Sequence, residues 1–334
     1  DGSTWLHAVC CAFRHNHAGA GRNPELRTLF YRLASFLNIP VHAIFVFDGP
    51  SRPHVKRNKQ VRAIPHWLAT IFQEMLAVFG FAKYEAPGEA EAELAALTRH
   101  GIIDAVLTTD IDAIVFGATC VIRYPEPPGH FDRVGVYTDH VIASAAGMSH
   151  EDLVLIAILS GGDYDVSSIP HCGIKIARGV SQYKLGQVLI RAFSTKSQRE
   201  FVDFCHDWRK DLRRVLTTDP EGYLGRVYPA VANSITDSFP DCDILQKYIH
   251  PITTFSSHSG TQDVATTMTS QGGSGYHTRS LQPSLKMLAS FCKNHFGWDG
   301  DAAMAKMRAT VWEGAELRLL CGVSMSCRFE QSNR

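Results

Sequence analysis

VHAIFVFDGP, residues 41–50, decides how the chain is to be read. The run is short, β-branched and aromatic, and it stops at Asp48-Gly49-Pro50, so it reads as a strand followed by a turn. Working outward, Ile64–Phe79 reads as a helix opened by Pro65 and closed at Gly80. Gly88–His100, with AEAELAALTRH, reads as a second helix stopped by Gly101. DAVLTT (104–109) is another buried strand, VIRY (121–124) a shorter one, and Glu151–Leu159 an apolar helix ending in Gly161-Gly162. Strands alternating with helices over residues 1–160 predict an α/β core, a mostly parallel twisted sheet flanked by helices.

Beyond that point the pattern turns helical, most clearly over Lys175–Phe193 and Gln198–Leu216, which marks 161–250 as a helical extension. Residues 251–280 read as a flexible segment, since 17 of the 28 residues from Thr253 to Ser280 are Ser, Thr or Gly. A last segment, 281–334, carries a helix around Leu285–His295 and the strand-like ATVWEGAELRLL (309–320).

The chain has 334 residues, 45% hydrophobic and 20% charged, which excludes a disordered protein and a disulfide-stapled miniature. No apolar run approaches the length of a membrane helix, and the N-terminal residues lack the pattern of a signal peptide. Nine cysteines without a C-x-x-C spacing read as reduced thiols of an intracellular protein. The 33 basic and 33 acidic residues cancel, but they are segregated. No acid falls between Gly49 and Gln73, and five bases lie between Arg52 and Arg62. Such segregation suits a polyanion held by bases around an acidic, cation-holding site.

The acids sit where an α/β fold gathers its ligands, after strands and at helix starts. Asp48 follows VHAIFVF, and Asp110 and Asp112 follow DAVLTT, pointing to one face if the chain stays extended. Glu89 and Glu91 open a helix, on which residues two apart diverge by about 200°. They share a site only if Glu89 lies at the irregular first turn, which Gly88 permits. Asp163 follows two glycines, and Asp1 precedes an apolar run. Taken singly, such residues are caps and turn formers. Seven of them together would repel one another without cations. Oxygen-only ligation suits Mg²⁺ or Mn²⁺, and a two-metal carboxylate site suits attack of water on a phosphodiester.

FVFDGP, APGEAEAE, VLTTDIDAIVFG and SGGDYDVSSIPHCGIKIA resemble, in order and rough spacing, the structure-specific 5′ nucleases. These comprise flap endonucleases, the excision-repair nuclease, 5′ exonucleases and the GEN/Yen Holliday-junction resolvases, and the resemblance covers roughly residues 1–250. It implies a PIN-like core in which Asp48, Glu89, Glu91, Asp110, Asp112 and Asp163 match the metal-site acids, with Asp1 as the first acid. It also implies two Mg²⁺ ions, replaceable by Mn²⁺. Family members carry a Met-Gly segment and a strand ahead of that first acid, which this sequence does not show.

SGGDYDVSSIPHCGIKIARG resembles the family's helix-two-turns-helix, where a potassium ion bridges to duplex phosphate; Ser167, Ser168, Ile169, Cys172 and Ile174 match that neighbourhood. Independently, backbone N–H groups at a helix start attract phosphate, with Gly173, Lys175, Arg178 and Lys184 at or near it. The basic stretch Arg52, Lys56, Arg57, Lys59 and Arg62 lies where the family inserts its arch, about residues 50–64, and Lys56 matches the lysine that points at the scissile phosphate. The insert is short, which leaves the site open to continuous duplex and favours a junction enzyme. Trp5 in DGSTWLHA, and the absence of a clamp-binding signature, point the same way. Resolvases of this type often carry a chromodomain after the core, and Ala309–Leu320 with Trp312 is a candidate for its start.

The reading is a Mg²⁺-dependent endonuclease of branched double-stranded DNA that cuts four-way junctions by paired incisions and also cuts 5′ flaps, leaving 5′-phosphates. It is expected to be a nuclear protein, monomeric in solution and dimeric on a junction. The alternatives are a 5′-flap or excision-repair nuclease, and a non-catalytic nucleic-acid-binding scaffold.

Overall fold

The computed structural model describes residues 1–13, 21–53, 65–124, 133–164, 168–256 and 281–321, with backbone alone at 55–56 and 59–60. The chain divides into two units. Described residues of 1–47, 65–85 and 281–321 form the first, and those of 48–60 and 86–256 the second.

The first unit starts with α1 (Gly2–Ala12), whose N-cap is Asp1; the carboxylate accepts the Ser3 and Thr4 N–H groups at 2.8 and 3.1 Å. Next comes α2 (Pro24–Leu37), with Pro in its first turn, where no intrahelical donor is needed. The strand β1 (Ile44–Phe47) covers the end of VHAIFVF. It pairs in parallel with Ala82–Glu85, a strand too short for its sequence to announce, in register from Ile44 opposite Ala82 to Phe47 opposite Glu85. Between them in sequence lies α3 (His66–Val78).

Aromatic rings fill this unit's core. Phe45 meets Phe72 and Phe81 edge-on at 5.9 and 5.5 Å, and Phe30 meets Phe79 and Phe296 at 5.2 and 5.7 Å. The C-terminal segment belongs to the same core: Leu288, Phe291, Cys292, Phe296, Met307 and Val311 pack with Leu26, Leu29 and Phe30. The strand expected over Ala309–Leu320 is instead the end of one helix and a second helix over 312–321. The strand reading rested on Val311-Trp312, but the following Glu-Gly-Ala-Glu-Leu-Arg-Leu-Leu is mostly strong helix formers, and Val311 is buried at the junction. Arg318 donates to the carbonyls of Phe79 and Leu281 at 3.0 and 2.9 Å and lies over the Phe81 ring; burial pushes its guanidinium down to about 10.

In the second unit, the stretch expected as the arch carries a small antiparallel pair, β2 (Val55–Lys56) and β3 (Lys59–Gln60); the Ala82–Glu85 strand is then β4. After α4 (Ala90–Arg99), β5 (Val106–Leu107) pairs in parallel with β6 (Cys120–Arg123), which pairs antiparallel with β7 (Gly135–Thr138). β5 is shorter than DAVLTT because Thr108 turns the chain, its hydroxyl accepting the Asp110 N–H at 3.1 Å. The parallel strands therefore lie in two separate small sheets, and the α/β class holds.

Helices make up the rest: α5 (Asp112–Val115), α6 (Asp139–Ala146), α7 (His150–Ser160), α8 (Ile174–Ser181), α9 (Leu185–Thr195), α10 (Gln198–Thr218), α11 (Pro229–Asn233) and α12 (Cys242–Ile249). The first unit adds α13 (Leu285–Phe296) and α14 (Gly300–Thr310). The single helix expected over 175–193 is broken at Lys184, whose φ of 59° is left-handed. The break redirects the chain so that Gly186 can pass close to α7, where a Cβ would stand 2.5 Å from the Glu151 carbonyl. Among the described residues no single helix is long and apolar enough to cross a membrane.

Candidate active site

The turn after β1 is fixed by backbone bonds, Gly49 N–H to Gly88 O at 2.8 Å and Ser51 N–H to Pro87 O at 3.1 Å. A Cβ on Gly49 would overlap the Ala86 carbonyl, so only glycine permits this approach. It sets Asp48 at the start of α4. One Asp48 oxygen accepts the Ala90 N–H at 3.0 Å, an anion at the positive end of a helix, and the other takes the Arg52 guanidinium at 3.0 Å. Glu89 is the N-cap of α4 with extended backbone, φ −80° and ψ 140°, and its side chain does not cap the helix. This is the irregular first turn needed to free Glu89 from the helical divergence between it and Glu91. Both are buried, at 6% and 8% exposure.

Asp110 and Asp112 are not on an extended strand, contrary to expectation. An Asp110 oxygen accepts the Asp112 N–H at 3.0 Å, bending the chain into α5, whose first residue is Asp112. Two side chains absent from the sequence-based site hold α5 from its far end. His150 sets Nε2 2.8 Å from the Val115 carbonyl, and Arg99 donates to the Phe116 carbonyl. Burial lowers the His150 pKa, and because a carbonyl can only accept, Nε2 donates to Val115.

Asp163 follows α7 through Gly161 and Gly162. Beside it stands Tyr248 of α12, 2% exposed and packed among Phe116 and Tyr164 at 5.8 and 5.0 Å between ring centres. Burial pushes the Tyr248 phenol far above its ordinary range, and the charges of Asp112, Asp163 and Glu89 push the same way. Three acids from three separate stretches thus act on one buried hydroxyl. Nothing in the local sequence of α12, an ordinary amphipathic helix, marks Tyr248.

The segment after α12 runs across α4. Glu93, fully buried, accepts the Thr254 N–H and hydroxyl at 2.9 and 2.7 Å, and His100 stacks on Phe255 at 3.8 Å. Glu93 therefore has a structural use, although it shares the acid spacing of Glu89 and Glu91.

α7 and α8 flank the stretch expected to form the helix–turns–helix, of which residues 165–167 lie outside the described residues. Ser168 is half-buried in the turn, Gly173 is the exposed N-cap of α8, and Lys175 and Arg178 are exposed. Cys172 is buried there and burial pushes its thiol up to about 11, so it stays neutral. Lys184, expected among the DNA contacts, has a half-exposed side chain. Its ammonium is taken by the Gly147 carbonyl at 3.1 Å and by the buried Asp152 at 3.3 Å. Arg52 is turned to Asp48. Arg57, Arg62 and Ser167, and the side chains of Lys56 and Lys59, lie outside the described residues. Asp1 lies in the first unit as the cap of α1. Among the described residues no three His, Cys, Asp or Glu side chains stand ready-gathered around a point where a metal ion would fit.

Residues 1–64 match the XPG N-terminal domain and residues 80–163 the XPG I-region. A mouse protein named flap endonuclease GEN homolog 1 is 30% identical over 194 residues, which cover 53% of this chain and 21% of the relative; the chain thus spans about a fifth of that protein's length. A structure of a eukaryotic junction-resolving enzyme, GEN-1, binding potassium is 30% identical with a TM-score of 0.68, over 88% of this chain and 65% of that one. A structure of the Holliday junction-resolving enzyme GEN1 with product DNA and Mg²⁺ is 28% identical with a TM-score of 0.70, over 93% of this chain and 68% of that one.

Proposed function

We propose, for a chain that belongs to the structure-specific 5′ nucleases of XPG type, that it hydrolyses phosphodiesters in branched duplex DNA with divalent metal ions. The observation that carries this reading is the gathering of Asp48, Glu89 and Glu91 at the start of α4, with both glutamates buried and Asp48 held by the Ala90 N–H.

The donor set is oxygen only and partly buried, a chemistry that suits Mg²⁺ or Mn²⁺. Asp48, Glu89, Glu91, Asp110, Asp112 and Asp163 would hold the ions, with Asp1 as a seventh acid. Two ions bound there would sharpen a water nucleophile and neutralise charge developing on the phosphate. The chain's own groups do the rest. Gly49 and Gly88 fix the turn that orients Asp48, and the extended N-cap orients Glu89. His150 and Arg99 pin the short helix that carries Asp112. Lys56, with Arg57, Lys59 and Arg62, would steer the scissile phosphate. The exposed start of α8, with Lys175 and Arg178, would grip duplex phosphates, and a potassium ion at the turn before it, near Ser167 and Ser168, belongs to the same proposal.

The substrate we propose is the four-way junction, cut in pairs by two copies of a chain that is monomeric when free, in the nucleus. The short arch supports this, as does the likeness to junction-resolving enzymes. The flap endonuclease names of the relatives favour a second reading, cleavage of 5′ flaps alone. Incision of an immobile four-way junction beside a 5′ flap, with every strand end-labelled, separates the two. Paired symmetric cuts that vanish in Asp110→Ala/Asp112→Ala are expected. Flap cleavage with an intact junction would leave the chemistry standing and remove the junction assignment.

A further inference from the structure

The buried hydroxyl of Tyr248 is left unexplained by packing. The ring has ample apolar company in Phe116 and Tyr164, and a phenylalanine would fill the same space. Its hydroxyl is fully buried and has no hydrogen-bond partner among the described residues, a state that costs stability unless something uses the group. It lies hard against the backbone just before Asp163, and a Cβ on Gly162 would overlap it, so position 162 is kept bare for this oxygen. The Asp163 N–H also faces it, in a geometry short of a full hydrogen bond. The charges within reach are Asp112, Asp163 and Glu89, from three different parts of the chain.

We propose that Tyr248 is a positioning residue for the carboxylate site, its hydroxyl donating a hydrogen bond to the group of Asp112, Asp163 and Glu89 when a divalent cation draws those carboxylates together. The inference deepens the nuclease reading and rests on these acids being metal ligands. In the metal-free chain the buried phenol makes no full hydrogen bond and lies within electrostatic reach of the three carboxylates. With a cation present, the acids need donors to orient their remaining lone pairs, and a neutral phenol fixed in a rigid aromatic pocket supplies one without adding charge. Groups that orient metal ligands in this way typically change metal affinity by about 10–100-fold when removed.

The test compares wild type, Tyr248→Phe and Gly162→Ala as full chains. Mn²⁺ binding is followed by the loss of the free-ion paramagnetic resonance signal, and thermal unfolding is recorded without metal. The expected result for Tyr248→Phe is a metal-free Tm equal to or above wild type with Mn²⁺ binding weakened by about 10-fold or more. A merely structural tyrosine predicts the reverse pattern, a lowered metal-free Tm with unchanged Mn²⁺ affinity, and that result would overturn the proposal. Gly162→Ala keeps the hydroxyl but drives it from its seat, so it too should weaken Mn²⁺ binding; unchanged affinity in both variants sinks the role of Tyr248 alone. A folded wild type that binds no Mn²⁺ overturns the metal-site reading beneath it.

Discussion

Glu93 and Glu91 differ by half a turn of helix and by their whole environment. Both oxygens of Glu93 are used by Thr254, which fastens the segment after α12 onto α4. Glu93→Ala should leave the part-buried Thr254 N–H and hydroxyl without their acceptor and cost roughly 1 kcal/mol, read as a lowered midpoint in urea unfolding. Glu91→Gln should act in the opposite sense on the metal-free protein, because it removes one of several like charges; an unchanged or raised Tm together with lost incision is the expected pair of results. The sequence alone separates these acids poorly, since APGEAEAE places them at equal intervals. What it does reveal is the Pro-Gly that frees Glu89 from the helix. It hides the pairing of Arg52 with Asp48 and of Lys184 with Asp152, the second across 32 positions, because such partners are chosen by tertiary geometry. Tyr248 is hidden for the same reason.

At the scale of elements, α7 deserves its central place because α8, α9 and α12 all pack on it. It begins with a capping box: Ser149 accepts the Asp152 N–H, and the Asp152 carboxylate accepts the Ser149 N–H at 3.0 Å. That carboxylate also receives Lys184 and Gln187 from the start of α9, so one cap joins two helices. Ser149→Ala should cost about 0.5–2 kcal/mol of stability, measured by chemical denaturation, while leaving the acids in place. Long periodic helices such as α10 and α3 are legible in the sequence to within a few residues. The break at Lys184 is not, because residues 175–193 are helical in pattern throughout and only the close approach of Gly186 to α7 forces the turn. Four-residue β4 fails to register for a simpler reason: Ala-Lys-Tyr-Glu carries too little apolar alternation to mark a strand.

At the scale of the whole molecule, the proposed metal site couples cation binding to stability. Mg²⁺ or Mn²⁺ should therefore raise the Tm by mass action, by about 2.7 kcal/mol of added stability at 100 times the dissociation constant, and Asp112→Asn should blunt the rise. A thermal shift that is the same for wild type and Asp112→Asn would argue against Asp112 as a ligand. The α/β class and the helical run after residue 160 are legible because each rests on local pattern. The two-unit division is not, because the first unit is assembled from stretches at both ends and the middle of the chain.

That discontinuity has a consequence for how the protein comes into being. A ribosome delivers Leu26, Leu29 and Phe30 long before Leu288, Phe291 and Phe296, the residues that share their core. The first unit must wait, with part of its apolar face bare, until Phe296 has been made, whereas the stretch bearing α4 to α12 is complete by residue 256. Vectorial synthesis thus favours early folding of the acid-bearing unit and late closure of its neighbour. In the interval, the unfinished aromatic face is a natural client for a chaperone.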